Sequence, residues 1–177
     1  MRLALLAPYL AVFYPFLAVR RAVAALRTGR GWRTWVDSHL LLGGFLVAGD
    51  VFELRREGVR AVVNVSSELI DPVRALRAAG IDYLRIPCWD MGVPALEAAD
   101  QGVRFIADHI ARGERVYVHC ASGVGRSVLL TLCYLCTDGG LDVDEALATV
   151  RRLRPRVAMR PPQRAFVDRY IAHRRGA

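Results

Sequence analysis

The sequence His119-Cys120-Ala121-Ser122-Gly123-Val124-Gly125-Arg126-Ser127 decides how the rest of the chain is interpreted. It follows the apolar run 116–118 and precedes the apolar run 128–132. This order predicts a buried strand, then a loop that contains glycine, then a helix. A loop with a cysteine, five further residues and an arginine can bind a phosphate group and attack it. Residues 120–126 are called the phosphate loop below.

Each residue type in this stretch suits one part of phosphate-ester chemistry. Cys120 is the candidate nucleophile, because backbone N–H groups, the N-terminus of the following helix and Arg126 would stabilise its thiolate. Arg126 also offers planar paired donors to two phosphate oxygens. His119 would orient the loop and support the thiolate, while Ser127 would donate to the sulfur when water cleaves a thiophosphate intermediate. The residues expected to bind the substrate phosphate are Ala121, Ser122, Gly123, Val124, Gly125 and Arg126.

Asp90 is the candidate general acid. It lies in the loop 87–94, which is bounded by prolines, contains Gly92 and separates a predicted strand from a predicted helix. From there its carboxyl group would protonate the leaving oxygen and then activate water. The alternative is an aspartate that only caps the next helix. No clustered set of metal ligands accompanies these residues, so we expect a reaction without a metal or another cofactor.

The remaining pattern predicts one α/β domain in which helices flank a central sheet. Apolar runs predict strands at 40–42, 61–65, 81–86 and 115–118. Longer periodic stretches predict helices at 50–56, 72–79, 95–112, 129–137, 143–154 and 162–173. Ligands of such folds bind at the carboxyl ends of the strands, and the phosphate loop would lie there.

The net charge of +8 in 177 residues is concentrated at the two ends of the chain. Residues 1–38 carry six arginines and one acid, and residues 151–177 carry nine arginines and one acid. Such ends suit an anionic membrane surface or phosphorylated ligands. We expect no nucleic-acid partner, because the sequence has no groove-reading motif. The oligomeric state is left open.

Residues 3–19 contain no charged side chain and are followed by several arginines. They predict an N-terminal hydrophobic helix, for which we expect a membrane anchor that either spans the bilayer or lies in its interface. A cleavable signal peptide and a helix packed on the domain are the alternatives. We therefore divide the chain into an anchor with a basic juxtamembrane stretch (1–38) and a catalytic domain (39–177). The arginines would place that domain on the cytoplasmic side of the membrane.

The four cysteines fit a cytosolic setting, because the expected nucleophile must be reduced. Cys133 and Cys136 have the spacing of a redox pair, but they lie inside a predicted apolar helix rather than at its start. We expect both to be small buried side chains.

The stretch 119–127, together with Asp90, resembles the active-site pattern of the cysteine-dependent dual-specificity phosphatase family. Its pattern is His-Cys-x5-Arg-Ser/Thr with an aspartate about thirty residues upstream, the separation of Asp90 from Cys120. The likeness covers about residues 40–170 and is greatest to the mitochondrial-type phosphatidylglycerophosphate phosphatase branch, through 90–94, 117–120 and 154–157. Glu68 falls where that branch has an acidic loop. The branch usually has lysine, alanine and glycine after the cysteine, whereas this chain has Ala121-Ser122-Gly123.

The resemblance implies a dual-specificity-phosphatase-like fold and a phosphoric monoester hydrolase that forms a cysteinyl-phosphate intermediate. The expected substrate is a phosphorylated lipid headgroup at a membrane. The alternative is a protein tyrosine or dual-specificity phosphatase that acts on phosphoproteins. A catalytically silent phosphate-binding module is the least favoured hypothesis, because Cys120, Arg126, Ser127 and Asp90 are all present.

Overall fold

The computed structural model describes residues 32–176 and, before them, nine helical residues, which are 11, 12, 14–16, 18, 19, 22 and 23. Most of the predicted hydrophobic helix at 3–19 lies outside the described residues. Among the residues that are described, no helix has both the length and the apolar character needed to cross a membrane.

A five-stranded sheet forms the centre of residues 32–176. Its strands are β1 (Arg33–Trp35), β2 (Leu40–Gly43), β3 (Val59–Asn64), β4 (Asp82–Arg85) and β5 (Arg115–His119). The order across the sheet is β1-β2-β5-β3-β4, with β1 antiparallel to β2 and every other pair parallel. His119 is paired with Gly43 on one side and Asn64 on the other. The carboxyl ends of β2, β3 and β5 therefore meet at one edge of the sheet.

Within residues 32–176, six helices cover the two faces of this sheet. They are α1 (Ala48–Arg56), α2 (Val73–Ala78), α3 (Leu96–Ala111), α4 (Arg126–Thr137), α5 (Val143–Leu153) and α6 (Pro161–Gly176). Alternate strand residues enter different cores, because side chains along a strand alternate between its faces. Val63 and Val118 pack with α3 to α6, whereas Val62 and Tyr117 pack with α1 and α2. The predicted α/β fold is confirmed.

The structure contains one strand that was not predicted and one helix that begins a turn earlier than predicted, each for a physical reason. β1 was not predicted, because a half-buried strand of three residues has no clear hydrophobic alternation. It lies within the stretch 1–38, and the division of the chain at residue 38 stays a prediction. α4 begins at Arg126 rather than at 129, since its first turn buries an arginine and a serine that hydropathy assigns to the loop.

Candidate active site

The phosphate loop joins the carboxyl end of β5 to the start of α4. The Cys120 side chain is buried in it, and its Sγ lies 3.3 Å from Ser127 Oγ. Gly123 has a φ of +68°, and a Cβ atom there would lie 2.5 Å from the carbonyl of Gly43. Only glycine therefore lets the loop turn against the end of β2.

The environment of Cys120 favours its thiolate. Burial raises the pKa of this thiol, but the charge of Arg126 and hydrogen bonds from Ser127 and the Gly123 N–H hold it below its ordinary value. Burial raises the pKa of Cys88 and of Cys136 to about 11 and that of Cys133 further still. All four cysteines are free and buried, so the packing role expected for Cys133 and Cys136 is confirmed.

Arg126 is held by two carboxylates and a carbonyl. Its Nη1 donates to Glu68 Oε2 at 2.9 Å and to the Cys88 carbonyl at 3.0 Å. Its Nη2 lies 2.7 Å from Glu68 Oε1 and 3.0 Å from Asp90 Oδ1. Burial disfavours the charged guanidinium, but the hydrogen bond and charge of Glu68 more than offset this and raise the pKa of Arg126. Arg126 is thus a fixed positive charge at the floor of the site, and only 2 % of the residue is exposed.

The structure brings the predicted general acid to the same point. Asp90 is half exposed at the tip of the loop between β4 and α3, and its Oδ1 also accepts the Met91 N–H at 3.0 Å. Gln163 supports this loop from the start of α6, because its Nε2 donates to the Gly92 carbonyl at 3.4 Å. Sequence reasoning missed Gln163, which is buried although it follows two prolines.

A cavity of about 240 Å³ connects these groups. Five of the six residues expected to bind phosphate line it, and Gly123 does not. The lining is made by Asp90, Met91, Cys120, Ala121, Ser122, Val124, Gly125, Arg126, Ala158, Arg160 and Gln163. A phosphate group in this cavity would face the sulfur, the guanidinium and the carboxyl group together.

His119 forms a buried pair with an aspartate that the sequence reasoning did not select. Its Nε2 lies 3.1 Å from Asp71 Oδ2, and the side chains of both residues are almost fully buried. Asn64 Nδ2 donates to the same carboxylate oxygen at 2.7 Å, and the ring of Tyr117 stacks on the imidazole at 5.3 Å. His119 Nδ1 faces the Cys120 carbonyl at 3.4 Å.

This pair favours a protonated His119. Burial alone would lower the pKa of the imidazole, but the charge and hydrogen bond of Asp71 and the nearby Cys120 sulfur raise it. Burial likewise opposes ionisation of Asp71, and the charge of His119 nevertheless lowers its pKa. An imidazolium that bonds the Cys120 carbonyl also favours the Cys120 thiolate.

Arg154 fixes the outer side of the phosphate loop. Its Nε donates to the Gly123 carbonyl at 3.1 Å and its Nη1 to Thr34 Oγ1 at 3.0 Å. Longer hydrogen bonds from Nη1 reach the carbonyls of Trp32 and Leu42. Arg154 thereby stabilises the phosphate loop against β1, and it is not among the residues that line the cavity.

Comparison with known proteins decides the family. The family model described as "Dual specificity phosphatase, catalytic domain" matches residues 45–170. The chain belongs to the dual-specificity phosphatase family. It is therefore a phosphatase, as its sequence motif predicted.

Individual relatives of this dual-specificity phosphatase carry lipid as well as protein substrates in their names. The chain is 32% identical over 162 residues to phosphatidylglycerophosphate phosphatase PTPMT2 of Arabidopsis thaliana, covering 90% of this chain and 71% of that protein. It is 31% identical over 161 residues to phosphatidylglycerophosphatase and protein-tyrosine phosphatase 1 of Mus musculus, covering 86% and 83%. The crystal structure of PTPMT1 in complex with PI(5)P superposes with a TM-score of 0.77 at 28% identity, covering 82% and 99%.

Proposed function

We propose that this phosphatase removes a phosphate monoester from a lipid headgroup at a membrane, through a cysteinyl-phosphate intermediate. The observation that carries the reaction is the convergence of Cys120, Arg126 and Asp90 on one cavity. The names of the relatives support the lipid substrate, since two of them are phosphatidylglycerophosphate phosphatases.

In the first step, the Cys120 thiolate attacks phosphorus and the bond from phosphorus to the leaving oxygen breaks. Arg126 and the inward N–H groups of the phosphate loop bind the equatorial oxygens, whose charge is spread in the transition state. The phosphate replaces Asp90 as a partner of the Arg126 Nη2 group, which lies 3.0 Å from the carboxylate. Asp90 in its protonated form then gives its proton to the leaving oxygen.

In the second step, water attacks the phosphorus of the cysteinyl phosphate and the bond from sulfur to phosphorus breaks. Asp90, now a carboxylate, accepts a proton from this water. Ser127, whose Oγ lies 3.3 Å from the sulfur, donates a hydrogen bond to the departing thiolate. Inorganic phosphate leaves, and the enzyme returns to its starting protonation state.

The membrane location is argued from the ends of the chain. The uncharged stretch 3–19 and the arginines after it suit an anchor with the catalytic domain on the cytoplasmic side. A phosphorylated lipid presents its headgroup at the bilayer surface, so an anchored enzyme meets its substrate in two dimensions. The substrate chemistry and the location therefore support each other.

A protein tyrosine or dual-specificity phosphatase is the second candidate. It is favoured by the name of the mouse relative, which includes a protein-tyrosine phosphatase activity. The cavity chemistry is the same for both candidates, because each substrate presents a phosphate monoester to Cys120.

A substrate panel tests the proposal with the full chain. We expect phosphate release from phosphatidylglycerophosphate in detergent micelles to exceed, in kcat/KM, that from phosphoinositides and phosphotyrosine peptides. Aryl phosphate serves as the reference for an intact site, and Cys120→Ser should abolish turnover of every substrate. Higher kcat/KM on phosphotyrosine peptides would select the second candidate, and turnover by Cys120→Ser would refute the mechanism.

A further inference from the structure

Large apolar side chains are exposed on the two loops that carry Glu68 and Asp90. Ile70, Trp89, Met91 and Val93 are 61%, 51%, 57% and 36% exposed, and together they are called the apolar rim. Within residues 32–176, only two other large hydrophobic side chains, Val47 and Phe52, are as exposed. Met91 lines the cavity, and the other three lie close in sequence to residues that contact Arg126, so exposed apolar side chains are concentrated on the loops of the active site, which is typical of a contact surface.

The rim lies on the two loops that hold Arg126. Ile70 follows Glu68 by two residues, and Trp89 and Met91 flank Asp90. Met91 has a φ of +63°, a conformation that disfavours any residue with a side chain and that glycine adopts freely. The fold therefore keeps an apolar side chain at this turn against the backbone preference.

The N-terminal helix adds a second apolar surface next to the rim. Val12, Phe16, Val19 and Val23 are described as helical, are spaced four, three and four residues apart, which is the spacing of one helix face, and are each more than a third exposed. On the opposite face, Tyr14 Oη accepts the N–H of Ile70 at 2.9 Å. Tyr14 thereby connects this helical segment to one loop of the rim.

Cations complete this surface. Arg160 is exposed where it lines the cavity, and Arg156 is exposed four residues earlier. A half-exposed tryptophan, apolar neighbours and arginines form the combination that binds the interface of a bilayer with anionic lipids. A protein partner would satisfy the apolar side chains but would not explain the apolar stripe next to the basic N-terminal stretch.

We propose that the apolar rim inserts into the surface of a phospholipid bilayer and holds the cavity against it. The inference rests on the proposed lipid substrate, whose acyl chains would then stay in the bilayer while its phosphate enters the cavity. The partner is the lipid surface itself, and no particular headgroup is required for docking.

The test is co-sedimentation of the full chain with vesicles of phosphatidylcholine and phosphatidylglycerol, which contain no phosphate monoester. The double variant Ile70→Ser/Trp89→Ser should lower the partition coefficient by about 30-fold, because two apolar side chains no longer leave water. The matched control is Val47→Ser/Phe52→Ser, which removes two comparably exposed side chains near α1 and should bind like the wild type.

A second measurement uses the wild-type chain. Of its three tryptophans, Trp32 is buried, Trp35 is partly buried and Trp89 is half exposed. Lipids brominated in their acyl chains should quench tryptophan emission in the wild type, and Trp89→Phe should remove this quenching.

Equal binding by the rim variant and the wild type, or an equal loss in the control, would overturn the proposal. So would absent quenching, or a rim variant that binds vesicles normally but has a raised KM for phosphotyrosine peptides. Hydrolysis of phosphatidylglycerophosphate in micelles is measured separately. Docking can therefore fail while the proposed function stands, and the reverse can also occur.

Discussion

Replacing Asp71 by asparagine should raise the pKa of the Cys120 nucleophile without touching the cavity. The amide keeps the size of the carboxyl group but loses the charge that lies 3.1 Å from His119 Nε2. Without that charge, burial dominates at the imidazole and His119 becomes neutral near pH 7. The Cys120 thiolate then loses the positive neighbour behind its carbonyl.

The size of the effect follows from this distance. Two unit charges 3.1 Å apart interact by about 5 kcal/mol at an effective dielectric constant of 20. The loss of this attraction leaves burial as the dominant influence on the imidazole, so we expect the pKa of His119 to fall. Arg126 and Ser127 still stabilise the Cys120 thiolate, so we expect its pKa to rise less than that of His119 falls.

The assay is alkylation of Cys120 by iodoacetamide as a function of pH, which measures the thiolate without turnover. Near pH 6 the Asp71→Asn variant should react about 10-fold more slowly than the wild type. Asp50→Asn is the matched control, because Asp50 is also a buried carboxylate but accepts the Val47 N–H at the start of α1. In a His119→Asn background, Asp71→Asn should cause no further shift.

If the pH midpoint of Cys120 alkylation is unchanged in a folded Asp71→Asn protein, this reasoning is refuted. A lower midpoint would also refute it, since it would mean that His119 stays protonated alone.

The Asp71–His119 pair should also make the free energy of unfolding depend on pH. The pKa of Asp71 is lower in the folded state than in the unfolded chain, so its contribution is present above about pH 4 and is lost as the pH falls through the folded value. The pKa of His119 is raised by folding, so its contribution is complete below about pH 6.5 and is lost as the pH rises through the folded value. The difference in unfolding free energy between the wild type and Asp71→Asn should therefore be largest between these limits, and denaturant titrations at several pH values would detect it.

Three further substitutions test the other contacts of the site. Glu68→Gln should weaken inhibition by vanadate by about 10-fold, because Arg126 loses the charged partner that orients both of its donors; unchanged inhibition would contradict this. Ser127→Ala should leave the initial burst of aryl alcohol intact but slow steady-state turnover by about 10-fold or more, since the Cys120 thiolate departs less easily. Rapid mixing separates the two phases, and a lost burst would contradict the role of Ser127 in the second step. Asp90→Asn should slow alkyl phosphates at least about 10-fold more than aryl phosphates, whose leaving groups need less protonation; equal losses in kcat would exclude Asp90 as the acid.

The parts of the site that are close in sequence could be predicted, and the parts assembled by strand pairing could not. The stretch 119–127 has its strand, loop and helix contiguous, so residue types and their order predicted Cys120, Arg126 and Ser127. Asp90 was predicted because it lies in a loop between a predicted strand and a predicted helix of the same domain.

Asp71 illustrates a contact that depends on the order of the strands in the sheet, which the sequence does not give. It is 48 residues from His119, and the two meet only because β3 and β5 are neighbours whose carboxyl ends coincide. Gln163 is similar, since its contact with the Gly92 carbonyl joins the start of α6 to a loop 71 residues away. Without the strand order, neither side chain differs from any other polar residue next to a proline.

The hydrogen bonds of Arg154 have a consequence for how the protein opens. One guanidinium bonds acceptors on the phosphate loop, on β1 and on β2, so separating any one of these segments from the other two breaks a hydrogen bond of Arg154. Segments that share such a connection unfold as one cooperative unit. Amide hydrogens of β1 and of the phosphate loop should therefore exchange with deuterium at similar rates. The substitution Arg154→Ala should accelerate the exchange of both.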